Sequence, residues 1–423
     1  MKFYGKMQKL YSIWLVYFHM SVYKNDHLAP LLFLYVLGTY LTSKGVKNLI
    51  GGSYKSLRIH LFLIQSSGSG KSEAMKAAYY ILKFLGLDGA YTTKTTDAAL
   101  IGTVSRDKNG EVFERKGELA YKDFYIWDEG SILMKSGPHS ENLQDILQIA
   151  TDEPAYIEKA MANGTLKYYT NTSICAGSYL DESINMAMLK RGCFQRMLIS
   201  YHPVTYEDVK DFLANSNYMF NISYSDRKSV MESFKNELES IDLTKLNISG
   251  GEHQTKYIKF DSNDTAKIGK SVVEFADLAE KAFKLDDRRM DILKTFIARN
   301  KQIYQVGAVC AAINGHPEVK YEDMEAGIYL WENHVRSANN IMMLKAEIVN
   351  IDDYSKRVIT TKNILGINSI PKEELIQRLL RISTWDLGRN NTIKFINEAI
   401  KKGDITTESK PRDTGGRSVF IKV

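Results

Sequence analysis

Residues Ile59-His60-Leu61-Phe62-Leu63-Ile64 run directly into Gln65-Ser66-Ser67-Gly68-Ser69-Gly70-Lys71-Ser72. An apolar, strand-like run breaks into a loop of small residues, and an amphipathic segment, residues 73–85, follows and stops at Gly86. Strand, small-residue loop and helix in that order form a cradle for phosphate, because backbone N–H groups and a helix N-terminus attract a polyanion. Lys71 is placed to reach terminal phosphates, and the Ser72 hydroxyl to ligate Mg²⁺. The candidate nucleotide-contacting residues are therefore Gly68, Ser69, Gly70, Lys71 and Ser72. The usual pattern opens on Gly; here that position is Gln65.

Further on, Phe124-Tyr125-Ile126-Trp127-Asp128-Glu129 reads as a buried strand ending in two carboxylates. Behind a phosphate loop, Asp128 is the expected partner of Ser72 in holding Mg²⁺. Glu129 is the candidate base that orients and deprotonates an attacking water. Alone, an apolar run ending in Asp-Glu is a common strand-to-turn junction; the preceding loop gives it meaning. A doubly wound sheet collects such residues at the carboxyl ends of neighbouring strands. The expectation is an α/β fold, a parallel sheet flanked by helices, with ATP and Mg²⁺ as ligands.

At 423 residues the chain is long enough for about two or three domains. A 44% apolar and 25% charged composition sets aside fibrous and disordered classes. The net charge of +6 suits a polyanionic partner without requiring one. Three scattered cysteines, Cys175, Cys193 and Cys310, offer no disulfide framework or zinc cluster and indicate a reducing compartment. Residues 10–23 and 28–41 are apolar, with Lys2, Lys6 and Lys9 ahead of the first. Neither reaches the roughly 18–20 residues of a spanning helix, and no small-residue cleavage site follows. They read as buried helices leading into the core. The expected location is the cytoplasm, with no membrane partner.

Between the two motifs, residues 92–104 read TTKTTDAALIGTV. An Arg106-Asp107 pair, Gly110-Glu111 and Gly117-Glu118-Leu119 then lead into the acidic strand. Downstream come Ile157-Glu158-Lys159-Ala160, the strand-like Ser173-Ile174-Cys175-Ala176-Gly177-Ser178, and Phe194-Gln195-Arg196-Met197-Leu198. In order and spacing, residues 59–200 resemble the AAA+ core of the minichromosome maintenance helicases, a layout shared by related helicase domains of viruses and mobile elements. The resemblance implies that residues 157–160 form the tip of a presensor hairpin. It puts Lys159 in a ring channel as a DNA contact, with Lys167 beside Tyr168 and Tyr169 adding to it. It implies that Arg196, with Arg191 as the other candidate, is an arginine finger reaching a neighbour's nucleotide. It also implies that Ser178 stands where the family has a sensor Asn, so that sensing is weaker or passes to another residue such as Asn171. About 57 residues precede the core, too few by ordinary domain size for the oligonucleotide-binding module of cellular members. A stripped, motor-only relative, viral or plasmid-borne, is implied; for a viral member the compartment is the host cytoplasm.

Residues 263–345 read as successive helices and resemble the AAA+ helical lid, with Arg299 or Lys301 as the second sensor. The last segment reads helix, turn, helix and two strands, and resembles a winged helix. From Pro371 onward there are eleven Lys/Arg against seven Asp/Glu, a net of +4. Arg389 and Lys394 lie at the start of the would-be recognition helix, and Arg412 and Arg417 flank the wing. The expected organisation is a helical lead-in (1–57), an AAA+ core (58–262), a helical lid (263–345) and a winged-helix domain (346–423). The expected function is an ATP-dependent DNA helicase or translocase acting in replication as a ring, a hexamer, on single-stranded or forked DNA. Two rivals stand beside it. One is an initiator or remodelling ATPase that binds DNA without unwinding it. The other is a non-enzymatic binder disabled by the Gln65 and Ser178 departures.

Overall fold

A computed structural model describes residues 1–22, 25–66, 68–107, 109, 111–134, 138–179, 189, 192–215, 222–250, 254–283, 287–349, 353–365, 369–381, 387–411 and 417–422. Residues 1–342 form one compact unit and residues 343–423 a second.

The first unit is built on a five-stranded parallel sheet. Its order is Leu198–Tyr201, Leu61–Ile64, Ser173–Ser178, Phe124–Trp127, Gly89–Thr92. Every residue of the three central strands is buried, as expected for strands covered on both faces. The acidic strand is not the neighbour of the loop strand, as the sequence reading had it. Ser173–Ser178 lies between them, pairing Ser178 with Ile64 on one side and Ala176 with Trp127 on the other. Its small residues let the surroundings close in. A Cβ on Gly177 would stand 2.7 Å from the Met75 sulfur and 2.9 Å from the Asp128 carbonyl oxygen.

Two N-terminal helices, Gly5–His19 and Ala29–Ser43, belong to this core. Residues 29–41 of the second are buried without exception, the mark of an interior helix. The Tyr35 hydroxyl donates to the Ser173 carbonyl at 3.1 Å, and that of Tyr17 to the Ala77 carbonyl at 2.9 Å. Among the described residues, no helix is long and apolar enough to cross a membrane. A second sheet runs Asn247–Ile248, Lys256–Phe260, Lys47–Ile50, Ser53–Ser56, with Glu318–Val319 paired to the Lys256–Phe260 strand. It joins the segment before the loop strand to the one after the core strands.

Helices Ser262–Ala282, Asp287–Ala298, Lys301–Asn314 and Tyr321–Val349 follow. The last of these covers the sheet's open edge. His334 Nδ1 accepts from the Ile199 N–H at 2.8 Å, and Ser337 Oγ from the Tyr201 N–H at 3.0 Å. These donors would otherwise be a strand template. Burial pushes His334 down to about 3. An unfolded chain protonates this imidazole below its ordinary value near 6.5, while the folded chain does not. The stability it contributes is complete above about pH 6.5 and falls by roughly 1.4 kcal/mol per pH unit as pH drops toward 3. Thermal denaturation at pH 7, 6 and 5 is therefore expected to show a fall that is shallower in His334→Asn, whose carbonyl can still accept from Ile199. An equal slope in the variant would refute the assignment.

Two antiparallel hairpins project from the core: Gly102–Arg106 with Val112–Lys116, and Tyr156–Met161 with Gly164–Tyr169. The second turns at Ala162-Asn163. Residues 157–160 are thus its first strand and not its tip, which corrects the sequence expectation. The pairing is set by Tyr156 opposite Tyr169, whose rings lie 4.8 Å apart. Asn163 Nδ2 donates to the Val104 carbonyl of the first hairpin at 3.4 Å, and the Tyr168 hydroxyl to that of Ile101 at 3.0 Å.

The second unit contains helix Asp353–Leu365, strand Ile370–Pro371, helices Lys372–Leu380 and Arg389–Lys402, and strands Thr406–Pro411 and Arg417–Lys422. Its three-stranded sheet has Arg417–Lys422 in the middle. Leu375, Ile376, Leu379, Phe395, Ile396 and Ile421 are buried in its own core.

Candidate functional site

The loop after Ile64 and the acids after Trp127 meet at the carboxyl end of the sheet. Gly68 and Gly70 both have φ of 77°, a left-handed turn that favours glycine. Gly70 caps helix Lys71–Phe84, which presents its N-terminus to the loop. Ser67 lies outside the described residues. The Ser72 hydroxyl donates to Asp128 Oδ1 at 2.8 Å. The other carboxylate oxygen accepts from the Tyr91 hydroxyl at 2.6 Å. Burial, then this carboxylate, raises the Tyr91 phenol well above its ordinary value, so it stays a donor. Lys71 Nζ donates to the Ser178 carbonyl at 2.9 Å, and burial lowers its pKa while Asp128 and Glu129 oppose the fall. Glu129 is exposed at the strand's mouth.

The fully buried Ser178 offers its carbonyl to the site, while its hydroxyl donates to the Tyr179 carbonyl at 3.1 Å. Asn171 precedes the same strand at its opposite end, roughly 20 Å away at about 3.3 Å per residue. It cannot share the site, which corrects that alternative. The oxygen pair of Ser72 and Asp128 suits Mg²⁺, which binds through one or two protein oxygens while keeping waters and phosphate. Among the described residues there is no group of three or more His, Cys, Asp or Glu able to hold a metal by itself.

Gln65 is almost wholly buried, and so is Asn25, from the turn between the two N-terminal helices. The two carboxamides pair reciprocally: Asn25 Nδ2 donates to Gln65 Oε1 at 3.2 Å, and Gln65 Nε2 to Asn25 Oδ1 at 3.3 Å. A 120 Å³ cavity opens beside the loop, lined in part by Asn25, His27, Gln65, Gly68, Ser69 and His202. The imidazoles of His27 and His202 are stacked at 4.0 Å. Burial, then His202, pushes His27 down to about 3, so it is neutral.

Arg196 closes helix Gly192–Arg196, just before the strand Leu198–Tyr201, at the end of the sheet remote from this loop. Its side chain is 9% exposed, and Nη2 meets Asp152 Oδ2 at 2.9 Å. Lys301 Nζ stands 3.6 Å from the other oxygen of Asp152. Arg196 therefore faces its own chain's acid. Arg191 lies outside the described residues.

The lysines assigned to DNA are engaged. Lys159 donates to Asp97 Oδ2 at 3.5 Å and Asn142 Oδ1 at 3.3 Å, and Lys167 pairs with Glu158 at 2.6 Å. In the second unit Arg389 pairs with Glu373, Lys394 is exposed, and Arg417 opens the last strand opposite Pro411. Arg412 lies outside the described residues.

Sequence reasoning missed Tyr91 and Asn25. Each acts across roughly 40 positions, where no local spacing signals a contact. The chain matches no protein-family model and no curated protein sequence.

Proposed function

We propose that the chain is an Mg²⁺-dependent ATP hydrolase with the plan of an AAA+ motor, acting on DNA as a ring of protomers. The observation that carries the proposal is the Ser72–Asp128 contact, which puts a phosphate loop and an acidic strand into one oxygen-rich corner. Bound Mg²⁺, held by Ser72 and Asp128, supplies neutralising charge for the phosphates. Lys71 exchanges the Ser178 carbonyl for a phosphate oxygen, and Glu129 takes the proton of the attacking water. The cavity beside the loop takes the nucleoside end. Tyr91 holds Asp128 in place. Tyr91→Phe is expected to raise the Mg²⁺ concentration needed for half-maximal turnover several-fold with little change in melting temperature. An unchanged Mg²⁺ titration would remove Tyr91 from the site.

The ring enters through Arg196. Its distance from its own loop leaves another protomer's nucleotide as the one it can serve, and the proposal requires it to leave Asp152 on assembly. DNA engagement is supported by the helix and strand order of the second unit, that of a winged helix, and by its basic excess. ATP turnover with and without DNA, displacement of a strand from forked DNA, and electron micrographs with ATP and DNA test the proposal together. Stimulated turnover, displacement and rings support it. No turnover in any condition overturns it.

A second reading has its own support. Because Lys159 and Lys167 are spent on Asp97, Asn142 and Glu158, the hairpin offers little free charge for gripping a strand. Turnover without displacement would favour an initiator or remodeller.

A further inference from the structure

We propose that Asn25 and Gln65 act as one positioning unit for the phosphate loop, so that the turn between the N-terminal helices sets the affinity for polyphosphate. This rests on the nucleotide-binding reading above. A carboxamide has two donor hydrogens and two acceptor lone pairs, and Gln65 spends all four. Its Nε2 serves Asn25 Oδ1 and His27 Nε2, and its Oε1 accepts from Asn25 Nδ2 and from the Ser69 hydroxyl at 3.2 Å. Asn25 Nδ2 also donates to the Ser69 carbonyl at 3.0 Å. The pair thus grips Ser69 at both its backbone and its hydroxyl. The backbone N–H of Gln65 donates to the Ser178 carbonyl at 3.1 Å, the same oxygen that holds Lys71. The loop is tied at its first residue, at Ser69 and at Lys71 to one connected set of buried groups. Such a network is rigid only when every member is satisfied.

A glycine at position 65 would match the usual loop pattern, yet here it would leave Asn25 Oδ1 without its donor and the Ser69 hydroxyl without its acceptor. Gln65→Gly is therefore expected to weaken binding, not to improve it. The neutral His27 imidazole, which accepts from Gln65, closes the outer end of the network.

The test uses the full chain. Binding of a fluorescent ATP analogue and of tripolyphosphate, with Mg²⁺, is measured for the unaltered protein and for Asn25→Ala, Gln65→Gly, Gln65→Met and the Asn25→Ala/Gln65→Met double variant. Melting temperatures are recorded alongside. Each single change is expected to weaken both ligands about tenfold, raising KM for ATP while kcat stays within about threefold. The double variant is expected to be no weaker than the weaker single. Gln65→Met keeps side-chain length and apolar packing, so it serves should the smaller residues fail to fold. If the unaltered protein binds ATP but the variants bind as tightly, or the losses add, this inference falls alone. A loss confined to the ATP analogue also overturns it, assigning the pair to the cavity instead of the loop. If the unaltered protein binds neither ligand, the nucleotide reading falls with it.

Discussion

Lys71→Ala is expected to lower ATP turnover by at least about a hundredfold while leaving the melting temperature unchanged or slightly raised. The two halves of that expectation have separate causes. A preorganised donor aimed at charge developing in the transition state is worth about 10²–10³ in rate when removed. In the fold itself, however, the Lys71 ammonium is a burden, because burial outweighs the pull of Asp128 and Glu129 and lowers its pKa, and among the described residues its hydrogen bond goes to the Ser178 carbonyl. Removing it leaves an acceptor that still receives the Gln65 N–H. Glu129→Gln is expected to lose turnover to a similar degree and keep nucleotide affinity, because the proposed role of this exposed carboxylate is to take the water's proton and not to hold the nucleotide. Normal turnover in either variant would remove that residue from the site. A large fall in melting temperature for Lys71→Ala would show that the residue is structural.

Arg58→Met is expected to destabilise the first unit by about 3–5 kcal/mol, the cost of breaking a buried ion pair from one side. Arg58 is fully buried and pairs with Glu153, itself mostly buried. Its guanidinium also donates to the carbonyls of Ala150 at 3.0 Å, Thr172 at 3.3 Å and Asp152 at 2.9 Å. It therefore fastens the start of the loop strand to the end of helix Pro138–Ala150 and to the approach of the middle strand. Methionine fills the space but, among the described residues, leaves Glu153 with only the Ser56 hydroxyl as donor and takes the guanidinium from three carbonyls. Urea denaturation measures the effect. A change under about 1 kcal/mol would mean that water replaces the guanidinium, and the double variant Arg58→Met/Glu153→Gln should recover part of the loss.

The loop, its helix and the acidic strand were legible because each is written in contiguous residues: four buried apolar positions, then chemistry. The N-terminal helices were legible for the same reason. Spatial order was not. The chain does not state that Ser173–Ser178 comes between Leu61–Ile64 and Phe124–Trp127, so the contribution of the Ser178 carbonyl was invisible. Gln65 looked like a defect in a motif because its partners, Asn25 and His27, lie far back in the chain. Arg196 and Lys159 were assigned by position, and position does not disclose that Asp152 and Asp97 occupy them.

The clasp between the hairpins has a mechanical meaning. With Asn163 on Val104 and Tyr168 on Ile101, the two ribbons share one mount instead of swinging independently. Phe113 on one ribbon and Tyr169 on the other are both more than half exposed. Through Ile101 the second ribbon is tied to the short helix Asp97–Ile101, which leads directly into the first.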